Sequence, residues 1–454
     1  MEKKSELTLT KTLAGAAALL AIVAFVTAPR NVTPSAFGDL GEAFFPDFQD
    51  PNVATTLEVI EFAAETAAAK PFKVTNQNGL WTIPSHHDYP ADGKDRLAET
   101  AAGIISIKKD DFRSDNVSDH EALGVIDPLD ETSTTLKGRG KRVTIKGAND
   151  TVLADLVIGK EVEGREGFRF VRVPDQKRVY AAKIDVDIST KFEDWIEKDL
   201  LLVERSKIDR VTLQDYSIDE RTLMVDMRDT VVLEEKDGAW SADGMKANEE
   251  VDTVKMNDLL REVDELKIVG VRPKPEGITE RLSALTISRE DMLSLQTRGY
   301  YLTREGDIMS NEGELQVATD EGIVYTLRFG EILYGTGEAI SAGAQTEADA
   351  ASGGPGENRY LFVSAAFDES LSTPPPKPAN TDFEGKEESA LTEEDKKNQE
   401  LADAYEKWEG SVKKGRETAE ALTTRFGPWY YVISASSFEK IRLDRGDLVK
   451  RKET

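Results

Sequence analysis

Cysteine is absent from the 454 residues. That excludes disulfides, thiolate metal centres and a lipid-modified cysteine near the N-terminus. Histidine is scarce: His86, His87 and His120 are the only three. Adjacent histidines on an extended chain point to opposite faces, and no His-x-x-x-His pair stands ready to hold zinc on a helix. "SHHDYP" therefore reads as a solvated loop, and His120 in "SDHEALG" has no serine and acid that the sequence places beside it. Basic residues are short, with 58 Lys and Arg against 85 Asp and Glu, a net charge of −27. Such a surface repels phosphates and excludes nucleic acid as a partner.

Chemical motifs are missing too. "GTGEAI" (335–340) lacks the third glycine and the helix pattern of a phosphate-cradling loop. No Gly-x-Ser-x-Gly elbow occurs. "DVDIS" (185–189) lacks the glycine and terminal glutamate of a calcium loop. Carboxylates are so common that a pair of them means little, which leaves an acidic-residue hydrolase as a remote reading. "RGD" at 445–447 is a chance match in a charged tail, and Lys450, Arg451 and Lys452 read as a frayed end. No catalytic residue, cofactor or metal is expected, and the chain reads as non-enzymatic.

What is present begins with "TLAGAAALLAIVAFVTA" (12–28), apolar and uncharged, with Lys3, Lys4 and Lys11 before it. At about 1.5 Å rise per residue this is the short end of a membrane span. A signal peptidase site would fit Val26 and Ala28, but Pro29 follows the cut, so a retained anchor over 12–29 is preferred to a cleaved leader. The lysines hold residues 1–11 in the cytoplasm and place the rest outside it, in an inner-membrane, periplasmic setting. Residues 30–50, rich in Pro, Gly and Phe, read as a linker.

The remainder reads as one unit written twice, over 51–195 and 196–454. "TNQNGLWTIPS" (75–85) and "EEKDGAWSADG" (234–244) both follow a strand-like run, both carry a favoured two-residue hairpin turn, and both lead into a helix. Leu97, Ala101, Ile104 and Ile105 fall at helical spacing after the first, and Met256, Leu259, Leu260 and Val263 after the second. Hairpins follow in each half: "KRVTIKGANDTVLADLVIG" (141–159) answers "GELQVATDEGIVYTLRFGEIL" (313–333), and "FRFVRV" answers "NRYLFVSAAFD" (358–368). The last strand of the second half, "PWYYVIS" (428–434), arrives about 60 residues late, which marks 369–427 as an insertion at a hairpin tip, removable without unfolding the body. Trp81 and Trp240 occupy equivalent places, so they read as structural anchors under the helices rather than ligand-stacking rings. The fold class is α+β: a tandem duplicated unit of antiparallel strands and crossover helices, with an N-terminal transmembrane helix and an inserted long helix.

Within the insertion, a proline-rich arm ("STPPPKPANTDFEGKEES") is expected not to pack. The helix after it carries Leu401, Tyr405, Trp408, Val412, Ala419, Leu422 and Phe426 at steps of four and three, with Gly415 as a gap. This heptad stripe must be buried, either on its own body or on a partner. Leu401, Tyr405, Trp408, Val412, Leu422 and Phe426 are therefore the candidate partner-binding residues. A smaller insertion at 335–357 is of low complexity and reads as a mobile loop.

The order "NGLWTIPSHHDYPADGKDRLAETAAGIISI", "EALGVID" with its Leu123-Gly124 step, "VTIKGANDTVLADLVIGKEV" and "RVYAAKID" resembles the bacterial family called domain of unknown function 4340. "DWIEKDLLLVERSKIDRVTL" (194–213) looks like that family's link between successive units. The second copy departs from the pattern, since "SALTIS" lacks the Leu-Gly step, and the inserted helix has no counterpart in it. The resemblance implies a membrane-anchored, extracytoplasmic protein of the kind encoded beside ABC-type exporters and gliding-type auxiliary proteins. It carries no catalytic residues. The expected function is an accessory or scaffold component of an envelope transport assembly. The alternative is a binding module that holds an envelope glycan or peptide in a groove between the repeats.

Overall fold

The computed structural model describes residues 17, 20, 23, 38–219, 221–222, 224–275, 278, 287–303, 306–335, 338–342 and 357–452. The expected anchor over 12–29 therefore lies, apart from residues 17, 20 and 23, outside the described residues. Among the described residues no helix is long and apolar enough to cross a membrane.

The first half contributes strands β1 (Thr56–Ala63), β2 (Ala68–Gln77), β3 (Leu80–Ile83), β4 (Tyr89–Pro90), β5 (Asp111–Ser114), β6 (Lys141–Lys146), β7 (Val152–Glu161), β8 (Phe168–Arg172) and β9 (Val179–Lys183), with helices α1 (Lys94–Ile105) and α2 (His120–Leu123). The second contributes β10 (Ile208–Asp219), β11 (Met224–Lys236), β12 (Ala239–Ala242), β13 (Glu249–Val251), β14 (Gly270–Pro273), β15 (Tyr300–Leu302), β16 (Ile308–Ser310), β17 (Glu314–Thr319), β18 (Ile323–Leu333), β19 (Asn358–Phe367), β20 (Trp429–Ile433) and β21 (Val449–Arg451). Its helices are α3 (Thr253–Asp264), α4 (Arg289–Gln296), α5 (Glu338–Ser341), α6 (Glu393–Phe426), α7 (Ala435–Ile441) and α8 (Arg445–Leu448).

The architecture is mixed α and β with antiparallel sheets. One sheet runs β4-β3-β2-β1-β6-β7-β8-β9-β5 and the other β12-β11-β10-β17-β18-β19-β20-β14. Leaving aside the two-residue β4, the second order repeats the first strand for strand. In each, an opening hairpin lies reversed beside four later strands, and the strand after the crossover helix closes the far edge. The turns agree in backbone as well as position. Asn78 and Gly79 have φ of 56° and 87°, and Asp237 and Gly238 have 54° and 82°. Two successive left-handed residues match the twist of the flanking strands. In both turns the side chain three residues before the glycine accepts its N–H, Asn76 in one and Glu235 in the other.

Both crossover helices bury the face their spacing requires. Leu97, Ala101 and Ile104 of α1 and Met256, Leu259, Leu260 and Val263 of α3 are buried, while Ile105 is half-buried. Asp252 caps α3 by accepting from the N–H groups of Val254 and Lys255. Gly93 opens α1 because a Cβ there would lie 3.0 Å from Val74 and 3.3 Å from the Trp81 ring. Trp81 and Trp240 are both half-buried against the main core.

The tryptophan at the centre of that core is Trp195, fully buried, its indole N–H donating to Ser189 O at 3.0 Å. It belongs to the link between the halves, which also buries Phe192, Ile196, Leu200, Leu201 and Val203 in a cluster containing both sheets and both crossover helices. The link touches each side. The Asp92 N–H donates to Trp195 O, and the Leu200 N–H to Leu266 O. The Arg425 guanidinium reaches Asp199 O and Leu200 O.

Three expectations are corrected. The part of the 30–50 linker that is described packs against the first sheet: Phe44 and Phe48 are buried, and Asp39 accepts from Tyr180 Oη. The basic C-terminal end is not frayed, since β21 pairs β13 and Lys450 lies 3.3 Å from Asp252. The proline-rich arm packs along α6. Trp408 donates to Ser372, Lys377 sits 4.7 Å over the Tyr405 ring, Asn398 bonds to Ala379 and Asn380, and Lys386 pairs with Asp395. A proline-rich chain has few internal hydrogen bonds to offer, and here the helix supplies the partners.

Candidate functional site

A cavity of about 550 Å³ opens where the two halves meet. One wall comes from the first half and the link (Glu61, Lys70, Pro71, Phe72, His86, Phe192). The other comes from the second half (Val269, Ile340, Ser341, Asn358). A second cavity of about 400 Å³ shares Glu193 and Val269 with it and continues to Lys198, Lys267, Ser434 and Ser437. Together they make a groove along the junction.

His86 forms the hinge of this site. It follows β3 in a short turn and is 3% exposed, so the solvated-loop reading fails for it. Its ring stacks on Phe192 at 4.6 Å and meets Phe72 edge-on at 6.2 Å. Its Nδ1 lies 2.9 Å from Ser85 Oγ and its Nε2 2.9 Å from Ser341 Oγ, across the junction. His87, with φ of 59°, turns the other way, and its Nε2 lies 2.8 Å from Ala342 O. Both histidines thus reach the 341–342 segment of the second half. Burial, then His87 and Arg272, bring the His86 ring down to about 4. Arg272 itself donates to Ile340 O at 2.9 Å, so a fixed cation stands behind the pair. A serine beside a histidine suggests a nucleophile and base. Here an imidazolium is opposed by burial and by Arg272, so the pair is a poor proton acceptor and acts as a clasp between halves.

Beside the clasp, the outer edge of β2 is open. β3 pairs β2 only from Thr75 to Gln77, while β1 pairs it from Ala68 to Thr75. Residues 68–71 of that edge are largely exposed and have no strand neighbour on the outer side among the described residues. Pro71, which has no N–H to offer, sits there, as prolines on edge strands do.

The heptad stripe of α6 closes on the chain itself. Ala419, Leu422 and Phe426 are buried, the last two in the main core. Gly415 is the gap because a Cβ there would lie 2.5 Å from the Phe367 ring and 3.0 Å from Glu321 O. Leu401, Tyr405, Trp408 and Val412 are half-buried, with the arm laid along Tyr405 and Trp408. Trp81 and Trp240 line neither cavity of the groove. No pattern in the sequence marks Lys274, buried 3.9 Å over the Phe362 ring on the far side of the second sheet, where burial and then Arg328 bring its amine down to about 7. His120 is buried and bonds Lys177 O at 2.9 Å. Among the described residues no group of three His, Asp or Glu could hold a metal ion.

The family model described as Domain of unknown function (DUF4340) matches residues 81–284. This part of the chain belongs to that family. The DUF4340 match begins at Trp81 and takes in α1, the rest of the first sheet, the link with Trp195, and the second half through Trp240 and α3. Of the groove it takes in His86, Phe192 and Val269, while Lys70, Pro71, Phe72, Ile340, Ser341 and Asn358 lie outside the match. No curated protein and no solved structure matches the chain.

Proposed function

We propose that this is a non-enzymatic, membrane-anchored extracytoplasmic accessory protein built from two copies of one unit, and that it holds an extended polypeptide segment of an envelope partner in the groove between them. An ABC-type exporter is one such partner. The carrying observation is the groove itself, walled by both halves. Pro71 withholds a donor from the β2 edge beside it, so an extended chain would be held chiefly by the apolar floor, which offers places for alternate side chains, and by polar groups of the lining such as Ser341 and Asn358. A glycan fits less well. Sugars stack on exposed aromatic faces, whereas Phe72 and Phe192 are each 5% exposed, packed on His86 and, for Phe72, Trp195. The shared strand order and paired turns support the duplication. The apolar, uncharged stretch at 12–28 supports the anchor.

The test is photo-crosslinking in intact membranes from a reactive residue at Lys70, with the partner identified by mass spectrometry. A protein partner is expected, and Val269→Trp, which fills the point shared by both cavities, should abolish its capture. Crosslinks to glycan alone, or protein crosslinks unchanged by Val269→Trp, would overturn the reading.

A further inference from the structure

Four lysines line the groove at the junction. Lys70 and Lys191 border the larger cavity, and Lys198 and Lys267 the smaller one. All four are exposed, and none pairs with a carboxylate among the described residues. Three acidic residues line the same groove, and two of them are already matched. Glu61 lies 2.6 Å from Lys141 Nζ, and Asp194 lies 3.6 Å from the Arg96 guanidinium and accepts from Ser189 Oγ. Only Glu193, common to both cavities, has no cation beside it among the described residues. Four unpaired lysines against one glutamate invert the local charge of a chain in which acids outnumber bases by 85 to 58.

Buried neighbours place these lysines. Lys191 precedes Phe192, Lys198 stands between Ile196 and Leu200, and Lys267 between Leu266 and Ile268, all five of them core residues. The Leu200 N–H donates to Leu266 O, which ties the Lys198 and Lys267 segments together. Each of the three amines is thus carried into water from backbone anchored in the core. Lys70 lies on a strand edge, where lysine commonly guards against pairing. Lys191, Lys198 and Lys267 lie on no strand, so that explanation does not reach them. Between the two pairs of lysines the floor is apolar, with Phe192 and Ile340 in the larger cavity, Ile268 in the smaller, and Val269 in both.

We propose that the segment held in this groove is acidic at both ends and apolar in the middle, its carboxylates meeting Lys70 and Lys191 at one end and Lys198 and Lys267 at the other. This rests on the reading of the groove as a seat for an extended polypeptide and names the chemistry of that polypeptide. Charge complementarity of this kind sets which partner is accepted more than how tightly it is held. Each exposed ion pair adds only a factor of about 1.4 to 5, so the four acting together give about tenfold or more at low salt. The rest of the surface, at net charge −27, repels an acidic segment, which confines its binding to the groove.

The test measures affinity of the full chain in detergent for synthetic ten-residue peptides. Three have a centre of alternating serine and valine, with two aspartates, two asparagines or two lysines at each end. A fourth has aspartate ends and an all-serine centre. The aspartate peptide with valines is expected to bind about tenfold or more tighter than the asparagine peptide, and the advantage should shrink at 0.5 M salt, about where screening reaches across a few ångströms. Lys191→Glu with Lys267→Glu should remove the advantage with no change in thermal melting, since both side chains are exposed. Lys255→Glu with Lys407→Glu, exposed and outside the groove, should not. No binding of the aspartate peptide, equal affinity for the asparagine or all-serine peptide, or equal loss with the Lys255 and Lys407 changes would overturn the proposal. So would binding that appears only with Glu347→Gln and Asp349→Asn, which would give the lysines to the chain's own 343–356 segment. Self-association abolished by the Lys191 and Lys267 changes would make a second copy the occupant and overturn it too. The groove reading is tested separately by crosslinking from Lys70. Protein capture lost with Val269→Trp, alongside equal peptide affinities, would keep the groove and remove only the acidic occupant.

Discussion

Removing the charge change at His86 tests the clasp most directly. The ring is bonded on both nitrogens, stacked on Phe192 and 3% exposed, and its pKa falls from 6.5 to about 4. The folded chain then binds this proton less readily than the unfolded chain. The stability held by the neutral ring is complete above 6.5, is lost as pH falls, and has gone once pH passes about 4. By linkage the loss is about 2 kcal/mol at pH 5 and about 3 kcal/mol at pH 4. Urea unfolding of the parent and of His86→Gln, followed by tryptophan fluorescence between pH 7.5 and 4, isolates it, because carboxylate titration elsewhere cancels in the difference. The stability gap between the two proteins should shrink by about 3 kcal/mol across that range. A gap that stays constant would mean that His86 titrates like an exposed histidine, and the clasp would be wrong.

The two glycines of α6 should respond with opposite sign. A Cβ at Gly410 meets nothing within 4 Å, so Gly410→Ala should raise stability by up to about 1 kcal/mol, whereas Gly415→Ala drives a methyl into Phe367 and should lower it by about 1–2 kcal/mol in chemical denaturation. The insertion should also divide in two. Excision of 369–427 takes Leu422 and Phe426 from the main core and should abolish cooperative unfolding, contrary to the sequence expectation. Replacing 374–406 by a short flexible bridge, where Ser372 already touches Trp408, should leave the thermal transition within a few degrees of the parent.

Features set by local rules were readable. Asn78-Gly79 and Asp237-Gly238 announce their turns because only a left-handed pair fits there. The buried faces of α1 and α3 follow a 3.6-residue period, and β20 is visible 60 residues late because "PWYYVIS" can only be a buried strand. Gly415 breaks the stripe for a reason that also could be guessed, a close approach. What stayed hidden depends on partners remote in sequence. Trp195 lies in a link whose apolar residues keep neither a strand nor a helix period, since they fill a gap between two bodies. His86 meets Ser341, 255 residues away, in a segment that reads as low complexity. The arm looks unpackable until Trp408, Tyr405 and Asn398 are seen along its path.

The additions set the second half apart from the first. The first sheet is lean: short opening hairpin, tight β8–β9 turn, an edge guarded by Pro71. The second carries a longer opening hairpin, the 335–357 insertion whose described part meets His86 and His87, and the arm-and-helix insertion. The junction between the two units is filled partly by link side chains and partly left open. Trp195 and its neighbours fill the centre, and the groove is the remainder. Of the additions to the second copy, the 338–342 segment lies at that opening, whereas α6 runs from the arm into the shared core through Leu422 and Phe426. A substitution in the link should therefore act on both halves at once through folding. One at Val269 should change what is bound and leave the fold alone.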